Sequence, residues 1–187
     1  MSTAVTPSRR RARQAFAAAG LALLLLAAGG LAVWRDAASG SPPDVSGPVA
    51  TGWADRAASA ARIEIEGPDT AFALERGENG WVMPSRGRYP VRPERIAALD
   101  AALSSLAFER AMTRDPDKFD RLGLGEPGAG GQGVRLRVLD EAGEVLVDLV
   151  AGGAREDEAG VYIRRAGGIR AYAARGSLPE LADPGVW

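Results

Sequence analysis

The spacing of apolar and polar positions changes several times along the chain, and each change marks an element. Ala15 to Trp34 is a run of twenty uncharged residues. A helix of that length rises ~30 Å, the thickness of a bilayer's hydrocarbon core, so it reads as a transmembrane helix. Residues 35–60 are rich in Ala, Gly, Ser, Pro and Asp, with Ser41-Pro42-Pro43-Asp44 and Ser46-Gly47-Pro48 interrupting any periodicity. They predict a flexible stalk, with Trp53 as a local apolar point. A period of two begins at Arg62, where Ile63 and Ile65 alternate with Arg62, Glu64 and Glu66. Phe72 and Leu74 alternate within 70–76, and Trp81-Val82-Met83 opens a third segment after Gly77-Glu78-Asn79-Gly80. Turns at 67–69 and 77–80 join these into a three-stranded antiparallel meander.

After a loop over 85–92 the period becomes helical. Ile96, Leu99, Leu103 and Leu106 form one apolar stripe, Pro93 suits the first helical position, and Glu94 faces the positive end of the dipole. The stripe predicts a helix lying on the sheet. Phe108–Met112 reads as a short strand. Asp115-Pro116-Asp117 caps a helical turn that Gly123-Leu124-Gly125 ends. Two hairpins follow. In the first, 134–139 with 144–151, pairing Val138 with Val145, Leu136 with Val147 and Val134 with Leu149 puts six apolar residues on one face. It sets Arg135 opposite Asp148 on the other. In the second, 161–165 with 169–173, a loop at 166–168 sets Tyr162 opposite Tyr172 and Arg164 opposite Arg170. Leu178–Leu181 reads as a short helical turn. The fold class predicted is α+β: an N-terminal transmembrane helix, then one domain of antiparallel meander and hairpins packed with one main helix.

Charge orients the chain. Arg9, Arg10, Arg11 and Arg13 precede the uncharged run and the first acid is Asp36. Positive charge beside a first hydrophobic segment stays in the cytoplasm. The expected arrangement is a cytoplasmic basic tail at 1–14, a transmembrane helix at 15–34, a stalk at 35–60 and a periplasmic domain at 61–187, all held to the inner membrane. Trp34 and Arg35 suit the outer interface. The run is longer than a signal-peptide core, and Val33-Trp34-Arg35 is a poor cleavage site, which favours an anchor over a cleaved signal although Asp36-Ala37-Ala38-Ser39 offers a cut.

Composition narrows the chemistry. Four basic residues precede the span, so the remainder holds 19 basic against 24 acidic residues, a net charge of −5. An acidic domain does not suit nucleic acid. The absence of His and Cys removes the usual zinc sets, the Ser-His-Asp and Cys-His arrangements, disulfides and lipid attachment at cysteine. Lys118 is the single lysine.

The order of segments resembles the bacterial family called domain of unknown function 4340. The carriers are Arg62-Ile63-x-Ile65, Leu74-x-Arg76 with Trp81, the helix Ile96–Leu106, Leu122-Gly123-Leu124 with Glu126-Pro127, the hairpin ending at Gly152, Val161-Tyr162-Ile163-Arg164, and Ala171-Tyr172. The resemblance covers about residues 60–187. It implies a membrane-anchored envelope protein and, for some members, an accessory part in ABC transport. It also implies a further strand unit beyond Trp187, which would make the chain a fragment or a shortened copy.

Three features invite a sharper chemistry. Gly128-Ala129-Gly130-Gly131-Gln132-Gly133 matches the dinucleotide spacing but precedes a strand, so it reads as a flexible linker. Glu156-Asp157-Glu158 lacks a calcium-loop spacing and reads as a solvated acidic loop, so no metal is expected. Arg164, Arg165 and Arg170 form the candidate binding site, for a polyanion or a carboxylate-bearing partner, against the plainer reading of a solvated hairpin tip. The reading that follows is a non-catalytic envelope protein without cofactors whose domain binds a partner protein. The alternative is an envelope polysaccharide enzyme using paired carboxylates.

Overall fold

The computed structural model describes residues 46–155 and 160–187. The expected span at 15–34, its flanks through residue 45, and Glu156-Asp157-Glu158 lie outside the described residues. No described helix is long and apolar enough to cross a membrane.

Among the described residues ten strands form one antiparallel sheet with a few short helices. The strands are β1 (Gly47–Pro48), β2 (Ala60–Glu66), β3 (Ala71–Gly77), β4 (Gly80–Met83), β5 (Tyr89–Pro90), β6 (Ala107–Ala111), β7 (Val134–Asp140), β8 (Val145–Ala154), β9 (Gly160–Arg165) and β10 (Ala171–Arg175). Their order across the sheet is β1-β6-β10-β9-β8-β7-β2-β3-β4-β5. Both edge strands are two residues long and contain proline, which leaves little ladder for another chain to join. The helices are α1 (Trp53–Arg56) and α2 (Pro93–Ser105).

The meander is observed as expected, with Ile63 opposite Leu74 and Ile65 opposite Phe72. Leu99, Leu103 and Leu106 of the α2 stripe are buried against the same face of the sheet, in one core with Ile63, Ile65, Leu136, Val138, Leu149 and Ile163. The loop at 85–92 contains a 3-10 turn and β5. On the opposite face, Phe119 and Leu124 pack on Val150 and Ala171 in a second, smaller core. That core is covered by residues 112–133, which run through 3-10 turns at Pro116–Lys118, Asp120–Leu122 and Pro127–Ala129. Asp115 caps the first of these by accepting from the Asp117 amide.

Several expectations need correction. The stalk does not extend to residue 60. Gly47–Pro48 pairs with β6, Val49, Ala50 and Trp53 are buried, and residues 46–59 belong to the domain. These apolar residues have no period, so sequence alone gives them no element, but they bury area like any other. The first hairpin pairs two residues away from expectation: Leu136 faces Leu149 and Val138 faces Val147. A bulge then places Leu139 opposite Val145. It turns Leu146 into the core and leaves Val145 44% exposed. The second hairpin is off by one, with Arg164 opposite Ala171 and Tyr172 opposite Ile163. A one-residue slip exchanges faces, so Tyr172 packs on Phe108 at 4.7 Å between ring centroids and Tyr162 packs on the second core. Leu178–Leu181 is not helical. Its carbonyls serve other partners, Arg95 Nη2 on Glu180 at 2.5 Å and Trp187 Nε1 on Leu181 at 3.1 Å.

Candidate functional site

The three arginines of the second hairpin are not brought together. Successive residues of a strand face opposite sides of a sheet, so Arg164 and Arg165 part company. Arg164 is 5% exposed, beneath the cover at 112–133. It donates to Glu126 at 2.6 Å and to the Leu124 carbonyl at 3.3 Å, with its guanidinium 5.1 Å from the centre of the Phe119 ring. Arg165 lies on the α2 side, exposed, over Phe108 at 5.7 Å. Arg170 is half-buried in the turn before β10.

Arg164 is instead the end of a chain of alternating charge across the face that α2 does not cover. From Arg164 the ion pairs run to Glu126, to Arg135 at 3.5 Å, to Asp148 at 2.9 Å, to Arg137 at 3.8 Å and to Glu64 at 3.3 Å. They continue to Arg62 at 2.8 Å, to Glu75, and to Arg88 at 3.8 Å. Arg135 donates through both Nε and Nη2 to Asp148, each at 2.9 Å. The hydrogen bond to Asp148 raises the Arg135 pKa, and the one to Glu64 raises that of Arg62. Each guanidinium holds its proton more firmly for having a carboxylate beside it. These carboxylates are engaged by cations, an arrangement that organises strands and keeps an uncovered sheet face polar. The sequence signal was the alternation of Arg and Glu along β2 and β7. What it lacked was the register connecting them.

The glycine-rich segment is packed, not a linker. Gly131 and Gly133 amides donate to the Glu126 and Gly125 carbonyls, both at 2.9 Å. A Cβ on Gly131 would fall under 3.0 Å from the backbone of Gly125 and Glu126. Amides that a phosphate cradle would present are already spent on carbonyls.

A cleft that sequence reasoning missed lies between α2 and the β2–β4 end of the sheet. It encloses about 370 Å³ over a floor of Ile63, Leu99 and Val138. Trp53 and Trp81 are its aromatic walls. Trp53 is buried and donates from Nε1 to Asp100 Oδ1 at 2.8 Å. Arg76, exposed, lies over the Trp81 ring at 5.4 Å. Ala57, Ala58 and Ala97 line the cleft with little more than a methyl group each and leave the space open. Apolar volume with a few polar groups at its lips is the usual composition of a binding cleft. Among the described residues no group of three or more acidic side chains is placed to hold a metal ion.

The architecture defines a sheet-based module: one helix on one face, a packed cover and a charge network on the other. The family described as Domain of unknown function (DUF4340) matches residues 81–185, more than half of the chain. The chain belongs to that family. The match begins at Trp81, later than the resemblance suggested. No curated protein and no solved structure matches the chain.

Proposed function

We propose that the chain is a non-catalytic, membrane-anchored envelope protein whose periplasmic domain binds a partner protein, as an accessory component of an ABC-type transport system. Residues 15–34 cross the inner membrane once, residues 1–14 remain in the cytoplasm, and the domain stands outside. The observation that carries this reading is the asymmetry of the first 34 residues: four arginines and no acid, then twenty uncharged positions. The absence of His and Cys from the chain supports contact over turnover. The transport assignment rests on the family resemblance.

The test is protease accessibility in spheroplasts, joined to photo-crosslinking from exposed positions of the domain in intact cells. Cleavage within 46–187 without lysis, together with a reproducible crosslinked protein, is the expected result. Protection until lysis overturns the orientation. Cleavage with no crosslinked partner from any position overturns the binding role.

A further inference from the structure

The Trp53–Trp81 cleft carries a specific partner chemistry. Arg76 and Asp100 stand on its lips with opposite charge. Arg76 engages the Trp81 face but, among the described residues, no carboxylate. Asp100 gives Oδ1 to Trp53. A neutral sugar offers hydroxyls to such a site, whereas a polypeptide offers ionised groups of both signs around an apolar side chain. Tryptophan and arginine are also residues that dominate protein–protein binding energy.

We propose that this cleft receives one large apolar side chain from an exposed segment of a membrane protein, with an acidic neighbour of that side chain on Arg76 and a basic one on Asp100. The inference deepens the partner-binding reading and rests on it. The volume suits a single ring at the low end of binding sites. Folding of residues 46–59 into the domain leaves only eleven residues, 35–45, between the uncharged stretch and the domain. A chain of that length reaches at most about 40 Å, so a membrane-bound partner lies within range.

The experiment uses the full chain in detergent with isotope-labelled indoles, titrated with acetyl-Glu-Phe-Lys-amide, acetyl-Glu-Ala-Lys-amide and tetra-N-acetylglucosamine. The Phe peptide shifts the Trp53 and Trp81 indole resonances saturably, and at least about tenfold more tightly than the Ala peptide. Ala97→Trp, which fills the cleft, abolishes the shift. Arg76→Glu, at an exposed position, weakens the Glu-Phe-Lys probe about tenfold and favours acetyl-Lys-Phe-Lys-amide. Equal response to both Glu peptides, a response to the sugar alone, or none up to roughly 10 mM overturns the proposal. A partner that crosslinks equally to wild type and to Ala97→Trp in cells sinks the cleft and spares the partner-binding reading. Loss of every crosslink in wild type sinks both.

Discussion

Arg164 and Glu126 lie 38 residues apart in the chain and 2.6 Å apart in the fold. Their pair joins the cover at 112–133 to β9, and it ends the charge network under the second core. Arg164 is almost wholly enclosed, whereas about a third of the Glu126 side chain is exposed, so the pair is closed on one side only. Removing the arginine takes the nearer of two cations from Glu126, leaving Arg135 at 3.5 Å, and removes a donor from the Leu124 carbonyl. Arg164→Ala is expected to cost about 2 kcal/mol, below the figure for a fully buried pair because water reaches Glu126. Equilibrium urea unfolding reads the loss, and a cost under about 0.5 kcal/mol would show that the cover is held by other contacts. Arg164→Lys restores only part, since an ammonium can replace the two bonds made by Nη2 but not also the Nη1 bond to the Gly168 carbonyl at 3.4 Å or the planar contact with Phe119.

The packing of the glycine-rich segment gives a second, independent test. Gly130 has a φ of +83° but open space where a Cβ would point, while Gly131 has backbone in that space. Gly130→Ala is expected to cost about 1–2 kcal/mol, from the left-handed conformation alone. Gly131→Ala must displace the 125–126 backbone and costs more, by about 2 kcal/mol or above. Thermal melts of the two variants compare them directly. Equal losses would mean that 128–133 yields as a linker does.

The meander and α2 are legible in the sequence because Ile63, Ile65, Phe72 and Leu74, and then Leu99, Leu103 and Leu106, are large residues whose periods have one solution. The hairpin registers are not. A bulge at Val138/Leu139 changes the parity of β8, and no residue type announces it. In β10, Ala171 and Ala173 on one face and Ala174 on the other are all fully buried, so alanine fits either side and cannot choose between ladders one residue apart. The slip in β10 replaced the expected Arg164–Arg170 pairing with Arg164 against Ala171. Alternation along β9 puts Arg164 on the face away from Ile163 in either register, and it is enclosed there because residues 112–133, which have no apolar period, cover that face. The Trp53–Trp81 cleft was illegible for another reason, since its walls come from α1 and β4 and only the sheet order brings them together.

The charge network makes a graded prediction. Arg135 and Asp148 meet through two hydrogen bonds at roughly one-quarter to one-third exposure, whereas Arg88 is 62% exposed and 3.8 Å from Glu75. A double-mutant cycle on Arg135/Asp148 is expected to give a coupling near 1 kcal/mol, and one on Arg88/Glu75 close to zero. Salt should weaken the first only modestly, because partial burial limits screening. The pH dependence has a definite sign on the basic side. Arg62 and Arg135 have raised pKa values, so their contribution is complete below the ordinary arginine range. It is lost only as pH rises through the raised values. Stability measured from neutral to mildly alkaline pH should therefore show no loss from these two groups. A decline there that vanishes in Arg62→Gln or Arg135→Gln would contradict the assignment.

Trp53 decides whether residues 46–59 are a tether or part of the fold. The indole is 6% exposed, donates to Asp100 of α2 at 2.8 Å, and shares the main core with Val49, Leu99 and Val138. If the segment merely rests on the domain, Trp53→Ala loosens it locally and leaves global unfolding unchanged. If it is an integral layer, the substitution removes a large side chain beside an existing cleft and costs about 3–5 kcal/mol. Trp53→Phe separates the two contributions. It keeps most of the apolar burial, loses the hydrogen bond to Asp100, and should cost about 1 kcal/mol beyond repacking. Hydrogen exchange distinguishes the tether from the layer by another route. The Val49 amide, bonded to the Leu106 carbonyl at 2.9 Å, should exchange as slowly as the central strands in the wild type. In Trp53→Ala it should speed up together with α2. Rapid exchange at Val49 in the wild type would return residues 46–59 to the stalk, and with them the longer reach that the fold now denies.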